Sequence, residues 1–228
     1  MRPMTVAIDG PAASGKSTVG EALAKQLGYL YFDTGVMYRA VTWAALARDI
    51  DIEDEETVTA LAERLEIEVT DPTDDDGRQY TVLADGIDVT WAIRRAEIDA
   101  NVSAVSAYRG VRHALVAKQR RIAAGKAVIM VGRDIGTVVL PDADLKIYLD
   151  ATVEERARRR WLEKWERGKE TDREAVLDAM RRRDRIDSNR EISPLCAAED
   201  AIRIDTTQMS IERVVEEAVR LVQDQDCP

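Results

Sequence analysis

Nothing in this 228-residue chain limits its fold as tightly as the stretch from Met4 to Leu27. A short apolar run, Met4-Thr-Val-Ala-Ile-Asp9, meets the loop Gly10-Pro11-Ala12-Ala13-Ser14-Gly15-Lys16-Ser17-Thr18. A helical pattern then follows, with apolar residues at Val19, Leu23 and Leu27. This is the strand, loop and helix that the G-x-x-x-x-G-K-[ST] pattern requires. Gly10 and Gly15 let the backbone turn tightly and approach a ligand closely. The loop N–H groups and the helix N-terminus then face inward on an anion. Lys16 supplies a positive charge for β- and γ-phosphates, and the Ser17 hydroxyl is suited to Mg²⁺. The stretch predicts a site for a nucleoside triphosphate.

The rest of the chain alternates strand and helix. Tyr29-Leu-Tyr-Phe32 reads as a short strand ending at Asp33-Thr34-Gly35, with a helix following through Tyr38 to Arg48. The acidic turn from Asp51 to Glu56 leads to a helix with Val58, Leu61 and Leu65 on one face. From about Leu65 the texture changes. Ile67 and Val69 alternate with polar residues, a turn spans Asp71 to Gly77, and alternation returns at Tyr80–Leu83 and Ile87–Val89. This predicts a small antiparallel meander at 65–95, inserted into a core of 1–64 and 96–228. Helical patterns run from Ile93 to Ala124 with a break near Tyr108-Arg-Gly110. Ala127–Val131 and Leu145–Leu149 are continuous apolar runs, as central parallel strands should be, and Ala201–Ile204 is a weaker one. Between them lie charged helices at Val153–Arg167 and Arg173–Asn189; a last helix starts behind Ser210 as N-cap. The expected architecture is an α/β fold with a five-stranded parallel sheet flanked by helices and a small antiparallel insert.

Composition narrows the partners. A net charge of −10 disfavours non-specific nucleic-acid or membrane-surface binding, while arginines crowd locally between Arg156 and Arg190. Cys196 and Cys227 have no metal-ligand or CxxC spacing, and His113 is the one histidine. With no secretory or spanning segment apparent, the expectation is a monomeric cytoplasmic protein working on small molecules, without nucleic acid or membrane partners.

Three further stretches refine the chemistry. Asp33-Thr-Gly-Val-Met-Tyr38-Arg39 follows the second strand, at the end of the sheet where open α/β folds take their ligands. Gly132-Arg133-Asp134-Ile-Gly136-Thr137 follows the central strand; a buried Arg and Asp there each need a partner, which a phosphate and an amine would supply. In the stretch Arg181 to Arg190, a helix would place Arg183, Asp187 and Arg190 on one face, suited to bidentate phosphate recognition and a sugar hydroxyl. Arg156 and Arg160 share a helical face and would close over a transferred phosphate, in a lid at 152–175.

Together, Asp9-Gly-Pro-x-x-Ser-Gly-Lys-Ser, Asp33-Thr-Gly-x-Met-Tyr-Arg39, Gly132-Arg-Asp-Ile-Gly-Thr-Val-Val139 with Pro141-Asp-Ala, and Arg183-Asp-x-x-Asp-Ser-Asn-Arg190 resemble bacterial cytidylate kinases of the long form. The similarity runs nearly end to end. It implies ATP-dependent, Mg²⁺-dependent phosphorylation of CMP and dCMP, with Lys16, Arg133, Arg156 and Arg160 as catalytic groups and Ser17 on the metal. It further implies that Arg39, Arg133 and Arg190 hold the acceptor phosphate and that Arg183 and Asp187 hold the sugar. Ser103, Arg112 and Asp134 would read cytosine with Thr34 close by, and the 65–95 insert would close over CMP. Asp134 suits that task, because cytosine presents an N4 amine to a carboxylate whereas uracil presents a carbonyl. One departure stands out. The family usually has an acidic residue before Gly-Arg-Asp, and Val131 stands there instead, which predicts a metal held less by the protein. Two alternatives remain at this level: a kinase for another monophosphate, such as UMP or dTMP, and a nucleotide switch with no acceptor.

Overall fold

The computed structural model describes residues 4–70, 72–166, 168 and 171–225. Asp71, Arg167 and Cys227, named in the expectations above, lie outside these, as do two further residues of the 152–175 segment.

The chain divides into two compact units: residues up to Asp33 with those from Ala123 onward, and Thr34–Ile122. The first unit is built on β1 (Thr5–Asp9), β2 (Leu30–Asp33), β6 (Val128–Val131), β7 (Leu145–Asp150) and β8 (Ile202–Asp205). All pair in parallel in the order β2-β6-β1-β7-β8, which is the predicted five-stranded sheet. Alternation along β1 sends Val6 and Ile8 to one face and Ala7 and Asp9 to the other. The first face is covered by α1 (Lys16–Leu27) and α8 (Ile211–Gln225), which bury Val19, Leu23, Val214 and Val222 against Ile8, Ile129, Leu149 and Ile204. The approach of α1 is close: a Cβ on Gly20 would fall 2.6 Å from Val131 Cγ2. Ser210 caps α8 as expected, its Oγ accepting from Arg213 N at 3.3 Å. Beyond β7, α6 (Val153–Glu166) and α7 (Arg173–Ser188) pack around Ala157, Val176 and Met180.

The second unit holds α2 (Gly35–Ala47), α3 (Glu55–Arg64), the antiparallel strands β3 (Ile67–Thr70), β4 (Thr81–Ala84) and β5 (Ile87–Asp88), α4 (Ala96–Val105) and most of α5 (Arg109–Ala123). The three strands pair in the order β3-β4-β5, inside the stretch where a meander was expected. The compact unit is wider than 65–95 because α2, an almost wholly buried helix, packs against α3, β4 and α4 alike. Arg78 fastens the turn between β3 and β4 by ion pairs to Asp74, Asp76 and Asp88.

Candidate active site

The loop after β1 owes its path to Gly10. That residue holds φ +147°, and a Cβ there would fall 2.0 Å from the carbonyl oxygen of Leu149 in β7. Gly15, at φ 96°, sits before the first helical residue and aims the α1 N-terminus into the loop. Lys16 opens α1, is buried, and its Nζ donates to Pro11 O at 2.6 Å. Burial lowers its pKa to about 7, Arg133 adds to the effect, and Asp33 and Asp9 oppose it. Ser17 is exposed, with its Oγ 2.9 Å from Asp33 Oδ2 at the end of β2. Other loop carbonyls are tied from outside: Ala12 O accepts from Arg156 Nη1 at 3.3 Å, and Ser14 O from Thr206 Oγ1 at 3.2 Å.

Arg133 and Asp134 follow β6 and lead into a π-helical turn at Ile135–Val139. Asp9, facing the second side of the sheet, accepts the N–H of Ile135 at 2.8 Å and that of Gly136 at 2.7 Å. Asp134 is buried, whereas Arg133 keeps part of its side chain exposed and gives its Nε to Asp187 of α7. Asp187 is the hub of this corner. Arg183 Nε lies 3.9 Å from its Oδ2, and Arg190 Nε donates to the Asp187 carbonyl at 3.3 Å. Burial pushes the Asp187 carboxyl up, but the Arg133, Arg183 and Arg190 guanidiniums more than offset this and hold it below the usual carboxylate range. The expected helix face is corrected in one respect. The helix stops at Ser188, so Arg190 reaches Asp187 from the segment beyond the helix end rather than from the i+7 position.

Arg156 also departs from expectation. It is buried, and its donors go to Ala151 O, Ala12 O and both oxygens of Asp184, at 2.9, 3.3, 3.1 and 2.7 Å. A guanidinium so committed braces the loop from behind instead of facing outward as a lid group. Arg160, one turn on, is partly exposed and pairs with Glu163 at 2.8 Å. The Val131 side chain is buried in the apolar cluster beneath α1, and its register partner on β2 is Asp33, the acid beside Ser17.

In the second unit, Arg39 donates to Asp99 Oδ1 at 2.6 Å and to Ile93 O at 2.9 Å. Thr34 is buried just before α2, and Arg112 is buried with its guanidinium 5.4 Å from the Tyr38 ring centroid and bonded to Ser106 O. Ser103 is half-buried on α4. The structure thus gathers Arg133, Arg183 and Arg190 around Asp187, the first two at its carboxylate and the third at its carbonyl, and it places Thr34, Arg39, Ser103 and Arg112 in the other unit. Four acids orient these groups: Asp9, Asp33, Asp99 and Asp184. Asp9, Asp33 and Asp184 stand in the quoted motifs with no role assigned to them, and Asp99 stands in none.

A parallel sheet of this order, with a glycine-bounded loop and a buried lysine after β1, defines a nucleotide-binding P-loop kinase fold. A gluconokinase structure from Sinorhizobium meliloti shares that fold at a TM-score of 0.50 and 15% identity, covering 99% of this chain and 96% of that one. The family is narrower than the fold. The family model described as cytidylate kinase matches residues 6–224. A cytidylate kinase of Herpetosiphon aurantiacus is 51% identical over 96% of this chain and 94% of its own length. One from Bacillus subtilis is 46% identical over 97% of both. The chain belongs to the cytidylate kinase family.

Proposed function

We propose that the protein transfers the γ-phosphate of ATP to CMP, giving ADP and CDP, and that dCMP is accepted in the same way. An oxygen of the CMP phosphate forms the new bond to the γ-phosphorus in line with the breaking bond to the β-phosphate oxygen, and ADP leaves. No strong base is needed, because a phosphate monoester with a second pKa near about 6 is largely dianionic at neutral pH. The work of the protein is positioning and charge stabilisation. Lys16 and the loop amides hold the donor. Arg39, Arg133 and Arg190 take the acceptor phosphate, Arg183 and Asp187 the sugar, and Ser103, Arg112 and Asp134 the cytosine beside Thr34.

Ser17 would hold Mg²⁺. Its exposed hydroxyl beside the Asp33 carboxylate offers the hard oxygen donors that this ion takes, few of them from protein. When bound, the ion supplies positive charge for the β- and γ-phosphate oxygens. Arg160 is assigned to the lid at 152–175, while the bonds of Arg156 support a role on the loop through Ala12. The 65–95 insert is assigned to closure over CMP, in a monomeric cytoplasmic enzyme.

The family match across residues 6–224 carries this reading, and the arginine corner around Asp187 gives it a chemical rationale. The test is ADP formation from MgATP with CMP, dCMP, UMP, dTMP and AMP offered singly. Turnover with CMP and dCMP, and little with the others, is expected. Preference for UMP would keep a kinase and overturn the cytosine assignment. ATP hydrolysis indifferent to every acceptor would point to a nucleotide switch.

A further inference from the structure

The last residue of β1 is a buried acid to which the transfer reaction gives no task. Asp9 is 4% exposed, directly precedes Gly10, and faces away from the α1 side of the sheet. Its two carboxylate oxygens each take one backbone N–H, from Ile135 and from Gly136, across 126 and 127 residues of chain. Those two residues immediately follow Arg133-Asp134. The start of the phosphate loop and the turn bearing the base-reading acid are therefore joined through one side chain. The fit leaves little slack, since a Cβ on Gly136 would meet Lys146 Cδ at 3.0 Å and Asp9 Oδ2 at 3.4 Å.

We propose that Asp9 is the positioning residue that sets the Arg133-Asp134 turn against the phosphate loop, and that it thereby governs discrimination between cytosine and uracil acceptors. The proposal rests on the cytidylate kinase reading. Asp134 can favour the N4 amine over a carbonyl only if its carboxylate is held where the base edge arrives. A shift of the turn costs that hydrogen bond before it costs anything in the donor loop. Asp9 holds the turn fully only as the carboxylate, because protonation replaces one acceptor with an O–H aimed at a backbone N–H.

Its ionisation has several neighbours. Burial pushes the Asp9 carboxyl up to about 6, the N–H groups of Gly136 and Ile135 oppose this, nearby Asp134 adds to it, and Lys16 counteracts it. Tyr148, its register partner on β7, feels the Asp9 charge in turn, and the Lys146 stem packs beside it with its ammonium on Asp200. Asp9 is therefore ionised at neutral pH and becomes protonated as pH falls through about 6.

The experiment is kcat/KM for CMP and for UMP at saturating MgATP, in the native enzyme and in Asp9→Asn. Asparagine keeps one acceptor and turns a donor toward the other N–H. The CMP:UMP ratio is expected to fall by about threefold or more. A merely structural role lowers the active fraction for both acceptors alike and leaves the ratio untouched, so a change of less than about threefold overturns the proposal. Should Asp9→Asn yield no folded protein, the native ratio is followed from pH 7.5 down to pH 5.5. Ionisation of the acceptor phosphate and of Lys16 affects both substrates and cancels, whereas protonation of the cytosine ring touches CMP alone and sets in at more acid pH. The ratio should therefore fall with a midpoint of about 6, and a ratio that is flat or falls only below that overturns the proposal. A native enzyme without preference for CMP refutes the cytidylate kinase reading itself, and the proposal with it.

Discussion

The phosphate loop and the Asp187 corner both gather positive charge, yet they are built in opposite ways. The loop is nine consecutive residues, Gly10 to Thr18, whose donors are mostly backbone and whose single strong charge, Lys16, is buried. The corner draws Arg133, Arg183, Asp187 and Arg190 from three segments, and its donors are long side chains oriented by one acid. Backbone donors cost little conformational entropy to hold in place, whereas each arginine must be fixed rotamer by rotamer. The loop should therefore fail abruptly when its geometry is disturbed, and the corner by degrees.

The largest expected effect is at Lys16. Lys16→Met should lower kcat by about 10²–10³-fold, as loss of a charge aimed at the transferring group does, without lowering the thermal midpoint. An unchanged kcat would remove Lys16 from the transfer step. Gly10→Ala comes next. The clash with Leu149 O and the forced left-handed backbone should cost upwards of about 2 kcal/mol in denaturant unfolding, and an unaltered midpoint would contradict the close approach. In the corner, Asp187→Asn should raise the KM for CMP about tenfold while leaving that for ATP within about twofold, because Arg133 and Arg183 lose their carboxylate partner but not their charge. Equal changes in both KM values would dissolve the distinction between the two regions.

The two regions also titrate in different pH ranges. The depressed Asp187 carboxyl contributes stability at neutral pH that is lost as pH falls through its folded value, below the ordinary range near about 3.9. Asp187→Asn should flatten that acid limb in thermal scans. Lys16, brought down to about 7, is mostly neutral at pH 8 before nucleotide arrives, and a bound polyphosphate favours its charged form. ATP binding at pH 8 should take up part of a proton, seen as a buffer-dependent heat in calorimetry, and little at pH 6. A buffer-independent heat at pH 8 would mean that Lys16 is already charged.

Local sequence patterns gave away the loop and the sheet for the same physical reason. Strand, glycine, lysine and helix are neighbours in the chain, and continuous apolar runs such as Val128–Val131 belong to strands covered on both faces. The small antiparallel sheet was legible too, from alternation and the Asp-rich turn. The acids that orient the site are less legible. Nothing local to Asp99 or Asp184 announces Arg39 or Arg156 as partner, because these contacts join residues 60 and 28 positions apart. The end of α7 was overrun for a related reason. The i, i+4, i+7 spacing of Arg183, Asp187 and Arg190 is satisfied just as well by a chain that leaves the helix after Ser188 and folds back on Asp187. Val131 was legible as a departure from the family pattern, and it packs beneath α1 as the register partner of Asp33.

The ties behind the phosphate loop bear on speed as well as on shape. Pro11, Ala12 and Ser14 each have their carbonyl held, by Lys16, Arg156 and Thr206. A loop fastened at three points by the protein's own donors should have little rearranging to do on encounter. Nucleotide capture should then be a single fast phase whose rate rises linearly with ATP concentration, and differences in affinity among triphosphates should show up in how long each stays.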